Sequence, residues 1–392
     1  MIPLSLGEML TLRKKLDKPL LYIYLKNSVA LIIFIFIKLI VRNKRASNSK
    51  NILFINTGQI GDLVLSSSIL LNEDLFPHDK IYLLVKKQYS DFFVCYNGKV
   101  KLIFWNHNKY RYSFVYRYRF IKGLQSLDLE SAINLTTARG PLNDELTILS
   151  GALSKYCLNN DYKYLRRMFG KYYDRYYDKI FNFNGRTEYD KQISSISHVI
   201  KQDARQGTYF YLSQKKIDEA KTFLDKYSFR KHRKIIVANP YSDIEEKNWH
   251  SDNYRELFFL LDQEDYIVLC QGTSRQRGRI EELIGGLNNV FNIAGELTLS
   301  QSAALISLCD LYIGNDSGFT HIAKALNKTI IAIIGGGSYG SFFPYVIRDN
   351  EYLLYYDVDC KGCEWRCIHK ERICIDRITA EEVYDLAVRV LK

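Results

Sequence analysis

From residue 51 onward the chain alternates short apolar segments with amphipathic ones, and it does so in two series. The first series predicts strands at 51–56 (NILFIN), 81–85, 100–105 and 132–135, with helical patterns between them, the first over 62–71. The second predicts strands at 235–238, 266–270, 290–293, 311–314 and 329–334, and helices at 252–261, 276–283, 300–308, 318–326 and 380–391. Short strands alternating with helical segments indicate βαβ units and a parallel sheet. The last helix carries its own start signal, Thr379 as N-cap with Glu381 and Glu382 in the first turn. A chain of 392 residues accommodates two such domains. No repeat of solenoid length breaks the pattern. The expected architecture is α/β: a first doubly wound domain over 51–230 and a second over 231–392, with a ligand cleft between them at the carboxyl ends of the strands.

Residues 1–50 stand outside this alternation. Residues 20–41 (LLYIYLKNSVALIIFIFIKLIV) are the most hydrophobic stretch, interrupted by Lys26 and Lys38. Arg13, Lys14 and Lys15 precede it, and Arg42, Lys44 and Arg45 follow within a polar linker over 43–50. The uninterrupted run is shorter than the roughly 20 apolar residues a spanning helix needs, although terminal lysines snorkel. A helix lying in the plane of an anionic membrane face, a spanning helix and a helix packed on the globular body all fit the pattern. The basic flanks favour membrane contact. The run follows a long polar start and lacks a small-residue cleavage site, so it does not read as a secretory signal. Reduced cytosolic thiols are the matching expectation for the eight cysteines.

Composition narrows the partners. Hydrophobic residues at 47% and charged residues at 25% exclude a disordered chain. The formal charge of +12 calls for acidic partners: nucleic acid, anionic lipid headgroups or phosphorylated glycans. Many of the 30 tyrosines sit beside basic residues, as in Lys109-Tyr110-Arg111-Tyr112 and Tyr116-Arg117-Tyr118-Arg119, and again in a charged stretch over 161–179.

Three strand-end segments carry the candidate chemistry. Asn56-Thr57-Gly58-Gln59-Ile60-Gly61-Asp62 joins a strand to a helix, where glycines permit a tight turn and helix-start N–H groups favour an anion. Asp62 reads either as a helix cap or as a catalytic carboxylate. Ala238-Asn239-Pro240-Tyr241-Ser242-Asp243, followed by Lys247-Asn248-Trp249, offers Ser242 as a phosphate donor and Lys247 as a cation, unless the loop is merely solvated. In Leu311 to His321 (LYIGNDSGFTH) a strand runs into a Gly/Ser turn and a helix starts near Gly318, presenting unpaired N–H groups suited to a diphosphate. Within that segment Asp316 also fits an ordinary turn residue and His321 a satisfied helix histidine. Gly335-Gly336-Gly337 forms a further open loop after the next strand.

In this order the three segments resemble glycosyltransferase family 9, the ADP-heptose:lipopolysaccharide heptosyltransferases. The G-x-x-G-D loop matches Gly58 to Asp62, the Asn-Pro and Lys-x-Trp elements match Asn239-Pro240 and Lys247-Asn248-Trp249, and the G-N-D-S-G-x-x-H-x-A-x-A-L signature matches Gly314 to Leu326. Ala294-Gly295 to Leu308 fits a further family element, and the resemblance runs from about residue 51 to 391. The chain departs from it at Tyr241, at Gly336-Gly337 and in its extra N-terminal segment.

The resemblance implies a GT-B fold of two Rossmann-like domains and inverting transfer of a sugar, with heptose from ADP-heptose as first choice, onto a lipopolysaccharide-core or related glycan. It implies Asp62 as general base, Lys247, Ser242, Asp316, Ser317, Gly318 and His321 around the donor diphosphate, and Gly61 and Arg139 toward the acceptor. No metal is needed in that scheme. Arg111, Arg117, Arg119, Arg166 and Arg167 would present a basic, aromatic surface to an anionic lipid-linked glycan at the cytoplasmic face of the inner membrane. Hexose transfer to a capsule or O-antigen precursor is the alternative on the same fold. A nucleic-acid adaptor is the non-enzymatic alternative, and it leaves all three motifs unexplained.

Cys95, Cys157, Cys270 and Cys309 lie in apolar or mixed stretches and read as packing residues. Cys360, Cys363, Cys367 and Cys374 form a C-x2-C-x3-C-x6-C cluster around Trp365. Four thiolates suit Zn²⁺ or an iron–sulfur cluster. The spacing is that of no standard zinc ribbon or finger, which favours packed free thiols.

Overall fold

The computed structural model describes residues 20–41, 49–136, 139–159, 171–182, 187–226, 233–363, 365, 367–369 and 371–392. Arg166, Arg167 and the basic flanks of the first helix lie outside the described residues.

The first sheet contains β1 (Asn51–Ile55), β2 (Ile81–Lys86), β3 (Lys101–Trp105), β4 (Leu129–Asn134), β5 (Ser154–Leu158) and β6 (Lys179–Phe181). The second contains β7 (Lys234–Asn239), β8 (Tyr266–Cys270), β9 (Val290–Asn292), β10 (Leu311–Asn315), β11 (Ile330–Ile333) and β12 (Glu351–Leu354). Their orders are β3-β2-β1-β4-β5-β6 and β12-β11-β10-β7-β8-β9. All pairings within both sheets are parallel, so each sheet has the doubly wound order with its switch point beside its first strand. The central strands are apolar on both faces because helices cover both: every residue of β1, β10 and β11 is buried.

Sequence periodicity finds the central strands and overlooks β5, β6 and β12. β5 (SKYCL) and β12 (EYLL) are half-buried over much of their length, and β6 has three residues. β6 and β12 are edge strands and β5 is next to the edge; strands less deeply covered do not need a continuous apolar run, so their pattern is weak.

The two domains meet through packed side chains and hydrogen bonds. Asp91 accepts from the backbone N–H of Ser300 at 2.6 Å and from its hydroxyl at 3.0 Å, holding the start of the Leu299–Leu308 helix against the first domain. Glu188 N donates to Ser341 O at 2.7 Å, and the Tyr189 and Tyr345 rings stack 5.0 Å apart. The Gln214–Leu224 helix, ahead of residue 230 in the chain, packs on Leu299–Leu308 of the second domain.

The Leu20–Ile40 helix divides into two faces. Phe34, Ile37 and the following Val41 are buried in the core of the first domain, and the Phe34 ring lies against those of Tyr172, Tyr173 and Tyr176. Leu25, Val29, Ile32, Phe36 and Leu39 are exposed. Packing on the body therefore holds for one face only. Among the described residues no helix is long and apolar enough to cross a membrane.

Part of the expected basic surface is interior. Arg117 is 4% exposed and makes a two-pronged ion pair with the buried Glu145, which also accepts from the Tyr110 hydroxyl at 2.7 Å. A guanidinium buried this way is held by its partner and is not offered to a ligand. Arg119 stays exposed and Arg111 half-exposed.

Candidate functional site

The G-x-x-G-D loop is shaped by Asn56, the residue just past β1. Its amide donates to Asp62 O at 3.0 Å and to the Ser66 hydroxyl, while its carbonyl oxygen accepts from Gly58 N at 2.8 Å. The loop then enters the Ile60–Ser66 helix with Gln59 as N-cap and Asp62 at the third helical position. Asp62 is thus the far half of a capping box and not the cap itself: its Oδ2 accepts from Gln59 N at 2.8 Å. Burial raises the Asp62 carboxyl above its ordinary value, and the Gln59 N–H, His321, Lys86 and Lys247 only partly offset this. A carboxylate with a raised proton affinity is a better base near neutral pH.

The two motifs of the second domain are bracketed by one buried amide. Asn315, at the end of β10, donates to Pro240 O at 2.7 Å and accepts from Trp249 N at 3.0 Å. Ser317 donates to the Asn239 carbonyl oxygen at 3.2 Å. The Asn-Pro, Lys-x-Trp and Gly-Asn-Asp-Ser-Gly segments are therefore one assembly, although 66 residues separate Trp249 from Asn315.

Within it Lys247 Nζ lies 2.7 Å from Asp316 Oδ2, with the two side chains 13% and 3% exposed. Asp316 also accepts from the Ser338 hydroxyl and lies 3.8 Å from His321 Nε2. Burial alone would raise the Asp316 carboxyl, but the Lys247 ammonium and the His321 ring outweigh it and hold it well below the usual carboxylate range. Burial lowers His321 despite the adjoining Asp316. The His321 ring stacks on Phe343 at 4.4 Å, and its Nδ1 stands 3.0 Å from the Tyr345 hydroxyl.

The sites of the two domains touch. A side-chain carbon at Gly318 would lie 2.8 Å from Ile60 Cβ, and one at Gly61 would lie 3.0 Å from His321 Cδ2. Glycine at both positions lets the Gly318–Ala325 helix approach the G-x-x-G-D loop with its N-terminal N–H groups at the junction. Asp62, Lys247, Asp316, Ser317, Gly318, His321 and Gly61 are thereby gathered on the two sides of one cleft.

Two expected residues are engaged elsewhere. The Ser242 hydroxyl donates to Ile244 O at 2.8 Å, shaping its own loop. Arg139 is 2% exposed and binds Asp144 at 2.9 Å and Asp174 at 2.8 Å, so it orders the loop beyond β4 and does not offer its charge to an acceptor. Its enclosed ion pairs correct the acceptor-side expectation.

Sequence reasoning overlooks Lys86, Ser338 and Arg372. Lys86, at the end of β2, is lowered by burial and acts electrostatically on Asp62. Only the carboxyl-end position on a strand signals it. Arg372 donates to the carbonyls of Glu245, Glu246 and Asn248, the last at 2.7 Å, and so fastens the Lys247 loop.

Arg372 belongs to the cysteine segment. Cys360, Cys363, Cys367 and Cys374 are free and line one small pocket with Trp365, His369 and Arg372. Cys374 is buried and Cys367 exposed. Among the described residues no group of three or more His, Cys, Asp or Glu side chains is placed to hold a metal ion.

Two facing Rossmann-like domains, with strand-end loops meeting in the cleft, define the GT-B fold. Within it, residues 189–364 match the model of glycosyltransferase family 9 (heptosyltransferase), and the chain is a family-9-like protein. Over 97 residues it is 35% identical to lipopolysaccharide heptosyltransferase 2 of Escherichia coli (strain K12), covering 24% of this chain and 28% of that protein. The glycosyltransferase family 9 structure from Veillonella parvula DSM 2008 superposes with a TM-score of 0.72 at 18% identity, covering 89% of this chain and 99% of that one. The E. coli ADP-heptose lps heptosyltransferase II structure gives 0.66 at 18% identity, covering 87% and 98%. By sequence, the chain spans about a quarter to about half the length of the curated relatives it matches.

Proposed function

We propose that the protein is an inverting glycosyltransferase that moves heptose from ADP-heptose onto a lipopolysaccharide-core or related glycan. The acceptor is an anionic lipid-linked glycan presented at the cytoplasmic face of the inner membrane. The observation that carries this reading is the meeting of Asp62 with the Lys247–Asp316–His321 group across the cleft. The name of the E. coli relative, a lipopolysaccharide heptosyltransferase, supports the choice of sugar.

In this mechanism Asp62 takes the proton of the acceptor hydroxyl as its oxygen bonds to the anomeric carbon. The bond from that carbon to the diphosphate oxygen breaks, and ADP departs with the electron pair. Lys247 and the N–H groups at the start of the Gly318–Ala325 helix receive the negative charge that develops. Asp316, Ser338 and His321 set the position of Lys247 and of the loop; they are positioning residues. No cofactor is assigned a step.

A panel of ADP-, UDP-, GDP- and CMP-sugars tests the donor by thermal shift and nucleotide release, because a ligand of the native state raises its stability. ADP-heptose is expected to give the largest shift, and a preference for a UDP-hexose would favour hexose transfer. Asp62→Asn is expected to lower transfer about 10²–10⁴-fold with ADP binding largely retained. Turnover within a few-fold of wild type would reduce Asp62 to its capping-box role.

A further inference from the structure

The Leu20–Ile40 helix has no acidic residue, and neither has the 106–127 segment beside it, which contains the His107–Tyr112 and Phe114–Gln125 helices. On the outer face of the first helix, Leu25, Val29, Ile32, Phe36 and Leu39 follow one another at helical spacing and are 54–76% exposed. Asn27, Phe34, Ile37 and Val41 occupy the opposite, buried face. The helix is therefore apolar on both sides, and the globular body covers only one. The outer stripe continues onto the neighbouring segment, because the Phe36 and Phe114 rings are 5.8 Å apart and Tyr112, Phe114 and Val115 are exposed as well.

Cations surround this surface. Lys26, Lys109, Arg119 and Lys122 are exposed, and Arg111 is half-exposed. Lys26 and Arg111 both act on the half-buried His107, so the start of the first helix lies beside the His107–Tyr112 helix. The same His107 feels Lys86, which acts on Asp62.

We propose that this composite face is a membrane-docking platform: the outer stripe of the Leu20–Ile40 helix, together with Tyr112, Phe114 and Val115, lies in the plane of an anionic bilayer. Its apolar side chains enter the headgroup–acyl boundary, and Lys26, Lys109, Arg111, Arg119 and Lys122 meet the lipid phosphates. An apolar stripe flanked by cations, on two segments that contain no acid, matches an anionic interface, and a contiguous exposed stripe of this kind is costly in water. The platform deepens the membrane-face reading above, but it does not depend on which sugar is transferred.

The test is co-sedimentation of the full chain with vesicles of phosphatidylcholine alone or with one-third phosphatidylglycerol, at low and high salt. Wild type is expected to bind the anionic vesicles about tenfold or more tightly than the neutral ones, with the difference shrinking as salt screens the cations. Ile32→Glu/Phe36→Glu/Leu39→Glu, which alters only outward side chains, is expected to lose binding about tenfold or more, with an unchanged melting temperature and unchanged ADP affinity. Arg119→Glu/Lys122→Glu should reduce anionic binding and leave the weak neutral binding alone. Equal vesicle binding by wild type and the triple variant would overturn the platform. So would a dimer in analytical ultracentrifugation that the triple variant abolishes while vesicles remain unbound, since the stripe would then be covered by a second copy. Failure to bind any nucleotide sugar with vesicle binding intact would sink the transferase reading and leave the platform standing.

Discussion

Two carboxyls at one site, Asp316 buried and Asp62 half-buried, are shifted in opposite directions because their partners differ. Asp316 is held ionised by Lys247 and His321, whereas Asp62 has one backbone N–H close by and its cationic neighbours act from farther away. The depressed Asp316 value makes its contribution to stability complete above the unfolded carboxyl range, near 4. That contribution is lost as pH falls through the lower folded value, so the second domain should lose stability with acid more steeply in wild type than in Asp316→Asn. Chemical denaturation at pH 3 and pH 7 measures the difference. Asp62 has the opposite sign: its raised folded value opposes folding as pH rises above the unfolded carboxyl range, near 4, so Asp62→Asn should lose transfer about 10²–10⁴-fold yet be at least as stable as wild type at pH 7. The Lys247–Asp316 pair gives a further expectation. Lys247→Ala should weaken ADP by about 1.5–3 kcal/mol through loss of a charge-assisted bond, with AMP losing less. It should also cost about 3–5 kcal/mol of stability, because Asp316 is left buried without its ammonium partner. Lys247→Ala/Asp316→Asn should recover most of that stability and none of the ADP affinity. A Lys247→Ala protein as stable as wild type would show that the pair is solvated in solution.

At the level of elements, the cleft depends on how closely one helix start approaches one loop. A methyl group at Gly318 has no room beside Ile60, so Gly318→Ala should separate the Gly318–Ala325 helix from the G-x-x-G-D loop. Overpacking of this kind typically costs about 1–3 kcal/mol. Transfer should fall, and Ile60→Gly in the same chain should restore part of it, because it removes both the Cβ and the Cγ2 that the new methyl meets. If Gly318→Ala transfers at the wild-type rate, the domains are already farther apart during turnover than in this structure. The Lys247 loop is similarly dependent on an element far along the chain, since Arg372 from the cysteine segment holds its carbonyls. Sequence spacing singled out Lys247, overlooked Arg372, and gave no reason to join the two.

For the whole molecule, the Leu20–Ile40 helix belongs both to the fold and to the proposed docking surface. Phe34, Ile37 and Val41 fill the first domain's core, so deleting residues 1–45 removes part of that core. Burying each such side chain is worth about 1.5–3 kcal/mol. The truncated protein should therefore melt several degrees lower and be prone to aggregation, in addition to any loss of vesicle binding. Scanning calorimetry of the truncated and full chains decides this, and equal melting temperatures would show that the inner face contributes little. The outer-face variants change binding without this penalty, which is why they, and not the truncation, isolate the platform.

Much of the architecture was already legible in the residues. Apolar runs separated by amphipathic ones fix two parallel sheets, because a strand buried on both faces must be apolar throughout and a covering helix must show its own period. Tyr266–Cys270 and Ala380–Leu391 were read to the residue, and most central elements to within a few residues. The strand-end motifs offered Asp62, Lys247 and Asp316 as candidates with structural alternatives beside them, and the family resemblance gave them their roles. What those side chains touch was not legible. Arg117 and Arg139 look like surface cations in the sequence, yet both are enclosed by carboxylates from other elements. Lys86, Ser338 and Arg372 acquire their roles only through contacts across the fold. Whether a long apolar helix packs, spans or docks depends on which of its faces the body covers, and that is set by tertiary packing. Local composition determines what an element is; its partners, and therefore its charge state and exposure, are decided when distant segments are brought together.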